Sequence, residues 1–149
     1  MIMHTIRIHS GDASFDDIMQ VIDSLSETEL KLMDMYGKSS NYEDSPYVVY
    51  RNIATVDNEV AGFIEVSEYP DNQDDNSCNI AVAVNPNYRG HGVSKKLIQK
   101  FLRTQGRSYN TIYYDFNQKN IGSKHLVESI PGFKYVTTQD GVVWYAYQN

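Results

Sequence analysis

Two glycines separated by one residue, in the segment Arg89-Gly90-His91-Gly92-Val93-Ser94, follow an apolar run and precede a stretch with helical periodicity. Where a chain passes from a strand into a helix, the first amide hydrogens of the helix lack partners. The aligned peptide dipoles add partial positive charge there, so such turns attract anions. Glycine lets the backbone come close to a phosphate without side-chain obstruction, and Arg89, Lys95 and Lys96 bring positive charge nearby. The chemistry this points to is phosphate recognition. A P-loop would need Lys and then Ser or Thr after its last glycine, whereas Gly92 is followed by Val93-Ser94. A dinucleotide fingerprint would need a third glycine where Lys95 stands, and an acidic residue ending a second parallel strand. Neither fits. The plainer alternative is that Gly90 and Gly92 only shape a turn. It is weakened by the strand-like Cys78 to Val84, the break at Asn85-Pro86 and the amphipathic stretch that follows.

The elements that must hold this turn can be read from periodicity. Thr5 to His9 reads as a short strand, and Ser10-Gly11-Asp12 as a turn and capping cluster. Phe15, Ile18, Met19, Ile22 and Leu25 recur at helical spacing, with Asp16 and Asp17 in the first turn. Thr28 to Tyr36 repeats the pattern through Leu30, Leu32, Met33 and Met35, and Gly37 to Pro46 is polar and irregular. Tyr47 to Val56 and Val60 to Val66 predict a hairpin around Asp57-Asn58. Tyr69 to Ser77, dense in Asp and Asn, predicts an exposed loop before the strand Cys78 to Val84. Val93, Leu97, Ile98, Phe101 and Leu102 share one face of a helix closed by Gly106. Thr111 to Phe116 is a strand and Asn120 to Ile130 a short helix broken by Pro131-Gly132. Phe133 to Thr138 and Val142 to Tyr147 form a hairpin around Asp140-Gly141. The result is a mixed α/β layer structure with antiparallel hairpins and one parallel crossover.

Bulk properties narrow the partners. A chain of 149 residues with 41% hydrophobic and 21% charged residues has the size and composition of one ordinary globular domain. The net charge of -6 repels nucleic acid and anionic membranes and favours a cationic substrate. Cys78 is the sole cysteine and reads as a buried structural thiol in a reducing, cytoplasmic setting. No segment has the length of a membrane span or a signal peptide.

The stretch Val84-Asn85-Pro86-Asn87-Tyr88-Arg89-Gly90-His91-Gly92-Val93 resembles the strand-to-helix motif of the GNAT superfamily of N-acetyltransferases. The family's core pattern is Arg or Gln, two residues, Gly, one residue, then Gly or Ala, and it falls here on Arg89, Gly92 and Ser94. Serine departs from the pattern but is small, and its hydroxyl can donate to a phosphate. Asn120 with Ser123, Leu126, Glu128, Gly132 and Phe133 is similar to the second signature, an asparagine before a short helix ending at Gly-Phe. The resemblance covers nearly the whole chain. It implies one N-acetyltransferase domain over residues 1–149, with a mixed, mostly antiparallel sheet, a splayed central strand pair and about four helices.

The resemblance also implies acetyl-CoA as acyl donor, no metal, and transfer to a primary amine of a small molecule or peptide. Val82, Ala83 and Val84 would pair with the pantetheine arm as an added strand does. Asn120 would hold it further along, and the turn Arg89, Gly90, His91, Gly92, Val93, Ser94 and Lys95 would take the pyrophosphate. Many members use a tyrosine after the leucine that matches Leu126, to return a proton to the departing thiolate, but Val127 stands there. Either another group serves, or water does, or the thiolate leaves unprotonated; among the groups Tyr114 is slightly favoured over Tyr113, Tyr145 and Tyr147. Some members place a glutamate early in the splayed strand, where this chain has Cys78 and Asn79. Glu65 is then the candidate base, with Glu68 and Asp115 as alternatives. The plain reading of Glu65 is a solvated residue, of His91 an exposed turn filler, and of His125 a surface residue. Two rival functions remain open: a non-catalytic acyl-CoA-binding module and, disfavoured by the acidic balance, a transferase acting on aminoacyl-tRNA. A homodimer built through the last strands is a further expectation.

Overall fold

The structure is a computed structural model that describes residues 5–9, 13–33 and 44–149. Among the described residues, seven strands form one sheet in the order β1-β2-β3-β4-β5-β7-β6. They are β1 (Ile6–Ile8), β2 (Val48–Val56), β3 (Glu59–Ser67), β4 (Ser77–Val84), β5 (Thr111–Asn117), β6 (Phe133–Gln139) and β7 (Val142–Gln148). Helices α1 (Phe15–Ile22), α2 (Glu27–Leu32), α3 (Val93–Arg103) and α4 (Ile121–Glu128) cover its faces. Every pairing is antiparallel except β4 with β5, joined by a crossover through α3. The predicted fold class, α/β with a mixed, mostly antiparallel sheet and four helices, is the one observed.

Alternation along the strands sends side chains into two cores. Ile64, Val66, Cys78, Ile80 and Ile112 meet Val93, Leu97, Ile98 and Phe101 of α3 on one face. Phe63, Ile53 and Ala83 meet Ile18, Val21, Ile22, Leu25 and Leu30 from α1, α2 and the turn between them on the other. Both of these helices start with a capping box, Ser14 with Asp17 and Ser26 with Glu29, which satisfies their first amides locally. The second cluster of helix-like spacing shortens to Glu27–Leu32. Met35, Tyr36, residues 37–43 of the irregular stretch and the Ser10-Gly11-Asp12 cluster lie outside the described residues.

Three local expectations are corrected. Helix α3 ends at Arg103, before Gly106, and residues 105–108 form a 3-10 turn instead. A side chain at Gly106 would stand 2.8 Å from the carbonyl oxygen of Phe101, so close packing decides the glycine. The Tyr69 to Ser77 stretch is more than an exposed loop. It carries a 3-10 helix, Pro70–Gln73, around the buried Asn72, whose amide donates to Ser77 Oγ at 2.7 Å and Asn79 Oδ1 at 3.0 Å. Glu65 is buried rather than solvated, because the face it shares with Phe63 is roofed by α1. Arg51 Nε donates to Glu65 Oε2 at 2.8 Å. The Arg51 guanidinium also pairs with Asp44 and lies over the Phe15 ring.

Candidate active site

The parallel pairing of β4 with β5 runs only from Ser77↔Thr111 to Ile80↔Tyr114. Beyond it, Ala81 to Val84 keep their partners in β3 but have none in β5, so the strands part and a cleft opens between them. Opening a sheet leaves backbone donors and acceptors that an extended ligand can satisfy.

At the β4 end of the cleft the chain turns into α3. Asn85 Oδ1 accepts from the Asn87 amide at 2.9 Å and starts the 3-10 turn Pro86–Tyr88. Gly90 and Gly92 follow with φ of 82° and 74°, the left-handed conformation that β-carbons disfavour. A β-carbon on either would have open space around it, so conformation and not crowding requires glycine here. His91 Nδ1 donates to the carbonyl oxygens of Tyr88 and Arg89, both at 3.0 Å, and clasps the turn. Gly92 is the N-cap of α3 and provides no side-chain cap, unlike Ser14, Ser26 and Asn120 on α1, α2 and α4. The first amides of α3 thus face the cleft without a partner from their own helix. The sheet lets α3 sit this low because β3 has Gly62 beneath it. A β-carbon there would lie 2.8 Å from Val93 Cγ1.

The cleft holds two cavities that meet. The larger, about 540 Å³, is lined by Val82, Ala83 and Val84, by the turn through Arg89, Gly90, Gly92, Val93, Ser94 and Lys95, and by Asn120. Leu25 and Glu29 close its other side, and Glu29 forms an ion pair with Arg89 across the opening. The smaller, about 340 Å³, lies beyond the splay and includes Tyr69, Asn79, Ala81, Asp115, Phe116 and Trp144. Leu32, Met33, Val82, Tyr114, Asn120 and Ser123 border both.

At that junction two hydrogen bonds link Asn120, Ser123 and Tyr114. Asn120 caps α4 by accepting from the Ser123 amide at 3.1 Å, which fixes Ser123 in the first turn. Tyr114 Oη donates to Ser123 Oγ at 3.1 Å. Only 4% of Tyr114 is exposed, and burial pushes its hydroxyl up to about 12 despite the bond to Ser123, so it holds its proton throughout the neutral range. The hydroxyl is a fixed neutral donor at the meeting point of the cavities.

The sequence candidates therefore divide. Val82, Ala83, Val84, Arg89, Gly90, Gly92, Val93, Ser94, Lys95, Asn120 and Tyr114 border one cavity. His91 borders neither and serves the turn. Glu65 also borders neither, being turned toward Arg51, and Glu68 lies on the opposite face, where it accepts from Tyr109 Oη at 2.6 Å. Tyr145 and Tyr147 pack with Phe116 and Phe133, and Tyr113 donates to Asp75. Val127 is core, 1% exposed, and His125 is exposed. Cys78 is buried, its thiol pushed up to about 12 by burial and by the nearby Glu68. Lining residues that were not foreseen include Glu29, Ser123 as a hydroxyl partner, Tyr69 and Trp144. Glu29 carried a signal, since Ser26-Glu27-Thr28-Glu29 has the capping-box spacing. Among the described residues, no group of three or more His, Cys, Asp or Glu could hold a metal ion, and no helix is long and apolar enough to cross a membrane.

Residues 16–133, which include the splayed parallel pair and the uncapped helix start at its mouth, match the Acetyltransferase (GNAT) family. The chain belongs to that family. Its fold is similar to that of PH1933 from Pyrococcus horikoshii OT3, with TM-score 0.73 and 21% identity over 97% of this chain and 99% of that one. It is also similar to the GNAT domain of S. lividans PAT, with TM-score 0.76 and 14% identity over 97% and 90%. The Salmonella typhimurium protein yncA, whose structure contains its cofactor acetyl-CoA, aligns with TM-score 0.66 and 14% identity over 97% and 93%. No curated protein sequence matches the chain.

Proposed function

We propose that this acetyltransferase is acetyl-CoA-dependent and transfers the acetyl group to a primary amine of a small molecule or peptide. The observation that carries the reading is the continuity of the cleft. An uncapped helix start lies at one end, an unpaired strand edge along the middle, and a buried hydroxyl at the junction with a second cavity. The donor's pyrophosphate suits the amides of Val93, Ser94 and Lys95 and the open space over Gly90 and Gly92. Its pantetheine suits the Ala81 to Val84 edge, with Asn120 beside it. The thioester would then lie by Tyr114 and Ser123, and the amine would arrive through the smaller cavity.

When bound, acetyl-CoA supplies an acyl carbon already activated by its thiol leaving group. The chain's residues hold the reactants in line and stabilise the negative charge that develops on oxygen and sulfur. Tyr114 does the second as a hydrogen-bond donor, by turning its one hydroxyl proton from Ser123 Oγ to the developing charge. A hydroxyl held at about 12 does not give its proton to a thiolate of ordinary basicity, near 8.5, without a cost of roughly 5 kcal/mol. For the amine proton, Asp115 borders the acceptor cavity, whereas Glu65 is turned into the ion pair with Arg51.

Thermal unfolding with coenzyme A tests the binding half. Millimolar ligand is expected to raise the midpoint, since a ligand that binds only the folded state stabilises it by mass action. Gly92→Ala is expected to lower stability by about 1–2 kcal/mol, the left-handed penalty, and to abolish most of that shift. An unshifted wild-type midpoint would sink the proposal.

A further inference from the structure

We infer that Asn79 and Ser67 form a specificity-determining pair that binds a carbonyl oxygen, of an amide or a carboxylate, carried by the amine acceptor. The inference rests on the transferase reading above and names a feature of its acceptor. The two residues are cross-strand partners in β4 and β3, so their side chains leave the same face of the sheet as neighbours. Both line the smaller cavity. Among the described residues, neither Ser67 Oγ nor Asn79 Nδ2 has a hydrogen-bond partner, and no buried side-chain nitrogen or oxygen goes without one. Both atoms therefore open onto the cavity, although Ser67 as a residue is only 8% exposed.

The hydrogen bonds around Asn72 dictate what Asn79 offers. The Tyr69 backbone N–H can only donate, and it meets Asn72 Oδ1 at 2.8 Å. The Asn72 amide nitrogen is then turned to Ser77 Oγ at 2.7 Å and to Asn79 at 3.0 Å. An NH₂ group needs an oxygen opposite it, so Asn79 presents Oδ1 to Asn72 and keeps its own NH₂ for the cavity. Asn72 is buried and engaged at both ends of its amide, which holds this orientation against a flip. Towards the cavity Asn79 is thus a donor only, and the rotatable Ser67 hydroxyl beside it adds a second donor. Two adjacent neutral donors suit a carbonyl oxygen with its two lone pairs. They do not suit an ammonium group, to which the Asn79 NH₂ has no lone pair to offer.

The position allows one molecule to reach both the pair and the reacting centre. Strand β4 parts from β5 beyond Ile80, so Asn79 lies two residues, roughly 7 Å, before the first unpaired position, Ala81. An amine with its nitrogen at the junction by Tyr114 and Ser123 reaches the pair with a carbonyl a few bonds away, and about 340 Å³ is room for such a small molecule. An acceptor without that oxygen would strip water from both donors and leave them unpaired, which is how a polar site rejects an apolar analogue.

The test is thiol release from acetyl-CoA with alaninamide, alanine and sec-butylamine, in which an ethyl group replaces the carboxamide. Asn79→Asp keeps the bond from Asn72 and turns the free atom from a donor into an acceptor. Ser67→Ala removes a hydroxyl that no described residue uses, and so spares the fold. Because the amines differ in basicity, the readout is the ratio of kcat/KM for alaninamide to that for sec-butylamine, compared between variant and wild type. It is expected to fall about tenfold in Asn79→Asp and about threefold in Ser67→Ala, with the thermal shift by coenzyme A intact. Partial unfolding would lower both rates and leave the ratio alone. Whichever of alanine and alaninamide loses more in Ser67→Ala identifies the bound oxygen as that of a carboxylate or of an amide. A ratio unmoved in Asn79→Asp, or in Ser67→Ala should the first variant not fold, would overturn this assignment alone, as would turnover confined to amines without a carbonyl oxygen. Absence of turnover with all three and with a wider amine panel, while coenzyme A still shifts the midpoint, would overturn the transferase reading and this assignment with it.

Discussion

Replacing Tyr114 by phenylalanine removes one oxygen and leaves the ring in place against Phe116 and Phe133, at 5.7 and 6.5 Å between centroids. The lost bond to Ser123 is a neutral one, and Ser123 borders both cavities, where water can reach it, so the stability cost is about 0.5–1.5 kcal/mol. The catalytic cost is larger. A donor aimed at developing negative charge in a water-poor site contributes about 2.7–4 kcal/mol, or roughly 10²–10³ in rate. Burial decides how that contribution is made. With its hydroxyl pushed up to about 12 by burial, Tyr114 stays protonated through the neutral range and is a poor proton source for a thiolate. The variant is therefore expected to slow the reaction without changing its pH dependence. The assay is single-turnover thiol release with a reactive amine, between about pH 6 and pH 10, beside a thermal scan with coenzyme A. The expected result is a rate about 10² lower, a pH profile of the same shape and an intact ligand shift. A rate within about threefold of wild type would refute the placement of the hydroxyl at the reacting group. A wild-type limb near pH 8 to 10 that vanishes in the variant would refute the neutral-donor role and restore a proton-transfer one.

Two further outcomes follow from buried ionisable groups. Arg51→Met leaves Glu65, 5% exposed, without its guanidinium and is expected to cost about 3–5 kcal/mol in chemical denaturation. The double change with Glu65→Leu should recover most of that loss, and an equally unstable double variant would show that the pair is not what the single change breaks. Cys78 and Tyr114 both have folded-state pKa values raised to about 12 by burial, from 9.0 and 10.0. The folded state thus keeps protons that the unfolded chain loses, so their contribution is complete below about pH 9 and declines as the pH rises toward 12. Urea midpoints should fall across that window, and a flat profile would contradict the burial of both groups.

Much of the site was legible because its signals are local. Glycine at Gly90 and Gly92 is demanded by a backbone conformation that depends on a few neighbouring residues, and the proline break before them and the helix after them are also short-range. The same holds for Asn120, whose side chain caps the helix it begins. The glycine-turn end of the cleft could therefore be placed from adjacent residues. Glu65 shows where such reading stops. Its alternation was correct, yet alternation states only that two faces exist, and covering the second face is the work of α1, roughly 45 positions earlier in the chain.

The sequence by itself determined the α/β class, the order of its elements and the turn at Arg89 to Ser94, because propensity, periodicity and glycine stereochemistry act over a few residues. Tertiary structure alone decided three things. Tyr114 and Ser123 meet at a junction, Glu65 is turned to Arg51, and Asp115 stands beside Trp144 in the smaller cavity. Each depends on strand register or on a helix closing over a face, and these are settled by long-range packing that no local pattern encodes.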